Sequence, residues 1–177
     1  MEQKVNVWKA NLTNGLILAL AGIAYSLVMY FLDLSLNKTQ GYIFILIQIA
    51  LLFVLLKSYR DNFMHGQITY GQSVGAGVII CLYYAIIMAI FSYILYTVID
   101  PGLVAKQLAL AEETMVKRGT PQEAIDAGMA FTAKIMKPAI MSVSGIFFSM
   151  IWGTILSLIV SIFIRKEGNP LIDTPAN

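Results

Sequence analysis

Ionisable side chains are scarce in this sequence. Asp, Glu, Lys and Arg make up 12% of its 177 residues, against roughly a quarter in a soluble domain. Cysteine is nearly missing too. Cys81 stands alone, which excludes an intramolecular disulfide and leaves a small thiol of the kind that packs in an apolar interior. Histidine occurs once, as His65. No HExxH pair exists, and none of the serines in the apolar runs has an imidazole beside it to act as base. Neither a GxxxxGKS/T nor a GxGxxG phosphate loop is present. The formal net charge is +2 and the basic residues are scattered, so nothing points to nucleic acid. These absences argue against catalysis, a bound metal and a cofactor.

What fills the chain instead is hydrocarbon, at 58% hydrophobic residues. From Gly71 to Ile99 there are 29 residues without Asp, Glu, Lys, Arg or His. As a helix this run is roughly 43 Å long, more than the ~30 Å hydrocarbon core of a bilayer. Three further charge-free runs follow the same logic. The first covers residues 10–32 and, at 23 residues, outruns the apolar region of a secretory signal, so it reads as an uncleaved span. The second covers residues 39–56, just long enough for a span of about 39–57, with Lys57, Tyr59 and Arg60 at its edge as interfacial anchors. The last covers 138–164 and stops at Arg165-Lys166-Glu167. The expected fold is an all-α integral membrane protein: a bundle of four transmembrane helices in a single domain, with an irregular tail over 167–177.

The only sizeable polar segment, residues 100–137, predicts an amphipathic helical pair between spans 3 and 4. Val104, Leu108, Ala111 and Met115 recur at helical spacing, and so do Ile125, Gly128, Met129, Thr132 and Met136. Asp100 with Pro101 predicts a capped start for the first of these helices, and Gly119 a left-handed stop. Thr120-Pro121-Gln122-Glu123 and Thr69-Tyr70-Gly71-Gln72 both read as capping boxes. His65-Gly66 predicts the end of span 2. Lys57, Arg60, Arg165 and Lys166 abut span ends on one side, which favours both termini in the cytoplasm.

Within the spans, small residues make the clearest pattern. Gly145, Ser149, Gly153, Ser157 and Ser161 recur every four residues in the last span, with Ser142 about one turn earlier. Such a stripe lets a second backbone approach closely, within the chain or from a partner. Gly71, Gly75 and Gly77 in span 3, and Gly15, Ala19 and Gly22 in span 1, suit the same use. Gln48 lies near the middle of span 2. An amide at that depth needs a partner, for which Asn14, Ser26 and Tyr84 are candidates, or it contacts a ligand. No span carries an ionisable acid or base, which lowers the case for ion-coupled transport.

The stretch Tyr59-Arg60, then Gly66-Gln67-Ile68-Thr69-Tyr70-Gly71-Gln72-Ser73, together with a third span ending Ile99-Asp100-Pro101, resembles the bacterial membrane family catalogued as domain-of-unknown-function family 4199. The likeness covers residues 8–167 and includes the plan of four spans with a long charged connection before the last. It implies a small multi-pass protein of the bacterial inner (cell) membrane, and it brings no reaction, ligand or catalytic residue. Function is therefore an expectation from the spans themselves. It is a non-enzymatic accessory or scaffold subunit, among membrane lipids, packing against another membrane protein or in a homo-oligomer. The alternative is a small transporter or permease.

Overall fold

The computed structural model describes residues 6–167, which are helical apart from short connections. Four helices are long and apolar enough to cross a membrane: α1 (Val7–Phe31), α2 (Lys38–Phe63), α3 (Tyr70–Ile94) and α6 (Pro138–Ile164). Between α3 and α6 lie α4 (Leu103–Lys117) and α5 (Gln122–Ile135). The all-α membrane fold expected from the sequence is the fold observed. Beyond Glu167, the tail expected to be irregular lies outside the described residues.

Local chemistry sets most of the boundaries. Asn6 caps α1, its Oδ1 accepting from the backbone N–H of Trp8 and Lys9, and Asn37 caps α2 through Thr39 N–H at 2.9 Å. The connection from α1 to α2 turns at Asp33, whose φ of 56° is a region that Asp tolerates better than most side chains. Helix α2 runs on to Phe63, past Lys57, because Lys and Arg are good helix formers whose heads reach water from any turn. It stops at His65-Gly66, both with positive φ. The Thr69 capping box forms as expected, with Gln72 N–H donating to Thr69 Oγ1 at 3.3 Å and Thr69 N–H to Gln72 Oε1 at 3.0 Å. Span 3 ends in a wider π turn, Leu95–Ile99, closed by Asp100 N–H on Leu95 O at 2.8 Å.

Two expected caps take a different form. Helix α4 starts at Leu103, and Asp100 turns its carboxylate to Lys106 at 3.3 Å instead of capping the helix. At α5 the N-cap residue is Pro121, in an extended conformation, and no side chain closes a box from Thr120. Thr120 is committed to the previous helix: its N–H bonds Met115 O while Gly119 N–H bonds Val116 O, with Gly119 at φ +72°. This is a Schellman stop for α4.

Two compact units emerge. One takes in residues of Met1–Ala85 and Ser149–Asn177, the other Ile86–Phe148. In the first, Leu18, Leu52, Leu56, Tyr59 and Ile80 form a closed interior. Tyr25 joins α1 to α2, donating its hydroxyl to Gln40 O at 2.7 Å and resting 5.1 Å from the Phe44 ring. In the second, Leu95, Leu103 and Ile125 are buried, and Gly128 of α5 lies against the Met115 thioether. The large exposed side chains of the spans, such as Phe148 and Phe163 on α6, are what a helix bathed in acyl chains displays.

Candidate helix-packing site

Lipid tails are as apolar as leucine, so spans associate through close packing rather than through hydrophobic expulsion. In the first unit α3 and α6 achieve this with small residues in antiparallel register. A Cβ added to Gly77 would lie 2.6 Å from Ser157 Oγ, and one added to Gly153 would lie 2.6 Å from Cys81 Cβ. Both glycines are fully enclosed, and only hydrogen fits there. Leu56 of α2 closes over Gly77, while Gly15 of α1 is pressed against the Tyr83 side chain of α3. The Trp8 ring stands edge-on to Tyr83, whose hydroxyl donates to Trp8 O at 3.3 Å.

The stripe on α6 therefore divides. Gly153 and Ser157 meet α3 directly, and Ser157 also donates to Gly153 O at 2.7 Å. Ser161 is fully buried and its hydroxyl has no partner; Ser73 on α3 is in the same condition. The register that pairs residue 77 with 157 and 81 with 153 puts 73 level with 161. Ser149 and Gly145 are half-buried, and a Cβ on Gly145 would meet nothing within 4 Å. On α3, Gly71 and Gly75 are exposed with the same open surroundings. The structure thus brings together Gly153, Ser157 and Gly77, and leaves Gly71, Gly75 and Gly145 uncovered.

Gln48 is buried at 5% exposure. Among the described residues no side-chain bond joins it to Asn14, Ser26 or Tyr84. Asn14 is engaged elsewhere, donating to Asn11 Oδ1 at 3.1 Å, while Asn11 donates to Val7 O at 3.0 Å. This buried amide pair on α1 was signalled by the i, i+3 spacing of two asparagines in an apolar run, which sequence reasoning passed over.

One end of the first unit carries a second constellation. Arg60 Nη1 donates to Ile164 O at 3.2 Å, on the carbonyl-rich last turn of α6, where a cation is favoured. Its Nε pairs with Asp61 at 2.8 Å. Ile68 and Lys166 exchange two backbone hydrogen bonds, at 2.9 and 3.0 Å, and Tyr70 donates to Leu158 O at 3.1 Å. Of the Tyr-Arg and Thr-Tyr-Gly-Gln positions that carried the family likeness, all but Gly71 do structural work here: Tyr59 is buried, Arg60 and Tyr70 hold α6, and Thr69 and Gln72 start α3.

A sequence model of the family described as "Protein of unknown function (DUF4199)" matches residues 13–166. The chain belongs to the DUF4199 family. The match begins inside α1 and ends at Lys166, so in this DUF4199 protein it takes in all of α2 to α6 and the clasp around Arg60. No curated protein and no solved structure matches the chain. Among the described residues, no three of His, Cys, Asp and Glu gather as a metal site would require.

Proposed function

We propose that this DUF4199 protein is a non-enzymatic accessory or scaffold subunit of the bacterial inner membrane, with both termini in the cytoplasm. It packs through one face of α3 against another membrane protein or a second copy. The observation that carries this reading is the contrast within α3. Gly77 is spent on contact with α6, whereas Gly71 and Gly75, one turn apart, are exposed beside open space. A Gly-xxx-Gly step with nothing against it is a surface on which a partner helix can approach closely.

The test is affinity purification from the native membrane in mild detergent, comparing the unaltered chain with Gly75→Leu and with Gly77→Leu. A stoichiometric companion or a homo-oligomer is expected. It should be lost in Gly75→Leu without loss of the folded chain, whereas Gly77→Leu should disrupt the protein itself. A lone monomer, or a companion indifferent to Gly75→Leu, overturns the reading. Transport then becomes the leading alternative, with Gln48 the first residue to replace.

A further inference from the structure

The end of the first unit where Arg60 meets α6 gathers cations around a single acid. Lys57 and Arg60, three residues apart, are neighbours on the surface of α2. Asp61 pairs with Arg60 at 2.8 Å, and the charges of Lys57 and Lys166 also act on its carboxylate. Lys166 arrives from the far end of α6, its backbone fixed by the two hydrogen bonds it exchanges with Ile68. Among the described residues no other carboxylate lies within ion-pair distance of these three cations. Three positive charges thus face one negative. Lys57 and Lys166 are exposed, whereas the Arg60 side chain is only 16% exposed, held between Asp61 and Ile164 O. Those two bonds use two of its five N–H groups, and the other three have no protein partner among the described residues. A guanidinium this enclosed is best matched by further acceptors, and its planar fork suits the oxygens of a phosphate.

Position says which anion. Lys57 is the first charge after the charge-free run 39–56, and Lys166 stands two residues beyond Ile164, the last residue of α6. Two spans of the first unit therefore bring their cations to the rim of the hydrocarbon, the level of lipid headgroups. We propose that Lys57, Arg60 and Lys166 form a headgroup site for a phospholipid of net negative charge. Its phosphodiester oxygens accept from the Arg60 guanidinium, and the two ammonium groups balance its charge. The excess of cations selects against a zwitterionic lipid, whose own ammonium would add another positive charge. A soluble phosphate fits the charge but not the place, since cations at the rim meet headgroups at the density of the membrane surface. This inference is independent of the open face of α3.

The experiment is native mass spectrometry of the full chain, loaded from an equimolar mixture of phosphatidylglycerol and phosphatidylethanolamine with the same acyl chains. Phosphatidylglycerol should be retained in preference. Lys57→Gln and Lys166→Gln should each reduce that preference roughly fivefold, the value of one cation beside an anionic surface. Lys134→Gln, on α5, removes the same charge elsewhere and should leave the preference unchanged. Arg60 stays intact in every variant because it also holds Ile164 O. Equal retention of the two lipids overturns the proposal. So does an equal loss of preference in Lys134→Gln, which would mark attraction by net charge alone, and so does a preference that survives the double variant Lys57→Gln with Lys166→Gln. Displacement of phosphatidylglycerol by glycerol phosphate also overturns it, in favour of a soluble anion. If a glutamine variant fails to fold, the unaltered chain still decides: its preference should fall as ionic strength rises, and a preference indifferent to salt overturns the proposal.

Discussion

Gly75 and Gly77 stand two residues apart on α3 and respond to a methyl group in opposite ways. At Gly77 the new Cβ would fall 2.6 Å from Ser157 Oγ and 2.8 Å from Ser157 Cβ, on a helix that cannot retreat without opening the Cys81–Gly153 contact one turn away. Overpacking of this kind costs about 1–3 kcal/mol, so Gly77→Ala should lower stability by that amount in reversible unfolding from mixed micelles. At Gly75 a Cβ meets nothing, and Gly75→Ala should be neutral, or stabilising by up to ~1 kcal/mol through lower backbone entropy. Equal effects at the two sites would mean that α3 and α6 do not meet in this register. The same register brings the unbonded hydroxyls of Ser73 and Ser161 level. A bond from one to the other would satisfy both. A double-mutant cycle with Ser73→Ala and Ser161→Ala should show coupling of about 0.6 kcal/mol, the usual size of an interhelical bond in a membrane, and zero coupling would rule the bond out.

Helix ends show what a sequence can reveal of such a protein. The Thr69 box and the Gly119 stop are legible because each is complete within a few residues of chain and needs no tertiary partner. Gln72→Ala should therefore cost about 1 kcal/mol by breaking the closed box at the start of α3. Thr120→Ala should change stability by less than ~0.5 kcal/mol, because that threonine serves α4 through its backbone N–H alone. A thermal unfolding series on the two variants checks both; a large loss at Thr120 would mean that its side chain caps α5 after all. Asp100 and Thr120 mislead for a common reason. Each lies where two helices compete for one residue, and the sequence does not say that Lys106 or the Met115 carbonyl wins. The spans are legible from charge-free length alone. Which serines and glycines of α6 touch α3 is not, since a four-residue stripe fixes a face but not the neighbour or its register. The hold of Arg60 on Ile164 O links positions 104 residues apart and leaves no local trace.

For the whole molecule the decisive quantity is the parity of spans. If all four helices cross, both ends of the chain and the connection from α2 to α3 fall on one side of the membrane, and α4 with α5 on the other. Cys81 makes this testable without preparation, because it is fully buried in the middle of an apolar helix and ought to be silent towards a membrane-impermeant maleimide. The unaltered chain is then its own blank. Glu113 on α4 and Asn62 at the end of α2 are both exposed and give two reporters, Glu113→Cys and Asn62→Cys. Intact cells should label the first and spare the second, with the second reacting once the membrane is opened. The reverse pattern would keep four spans but place the termini outside, against the weight of Lys57, Arg60, Arg165 and Lys166 at the span ends. Labelling of both from the same side would remove one of the crossings. The long apolar helices would then need another explanation than the bilayer, and the openness of Gly71 and Gly75 would no longer mark a face turned towards lipid and partner.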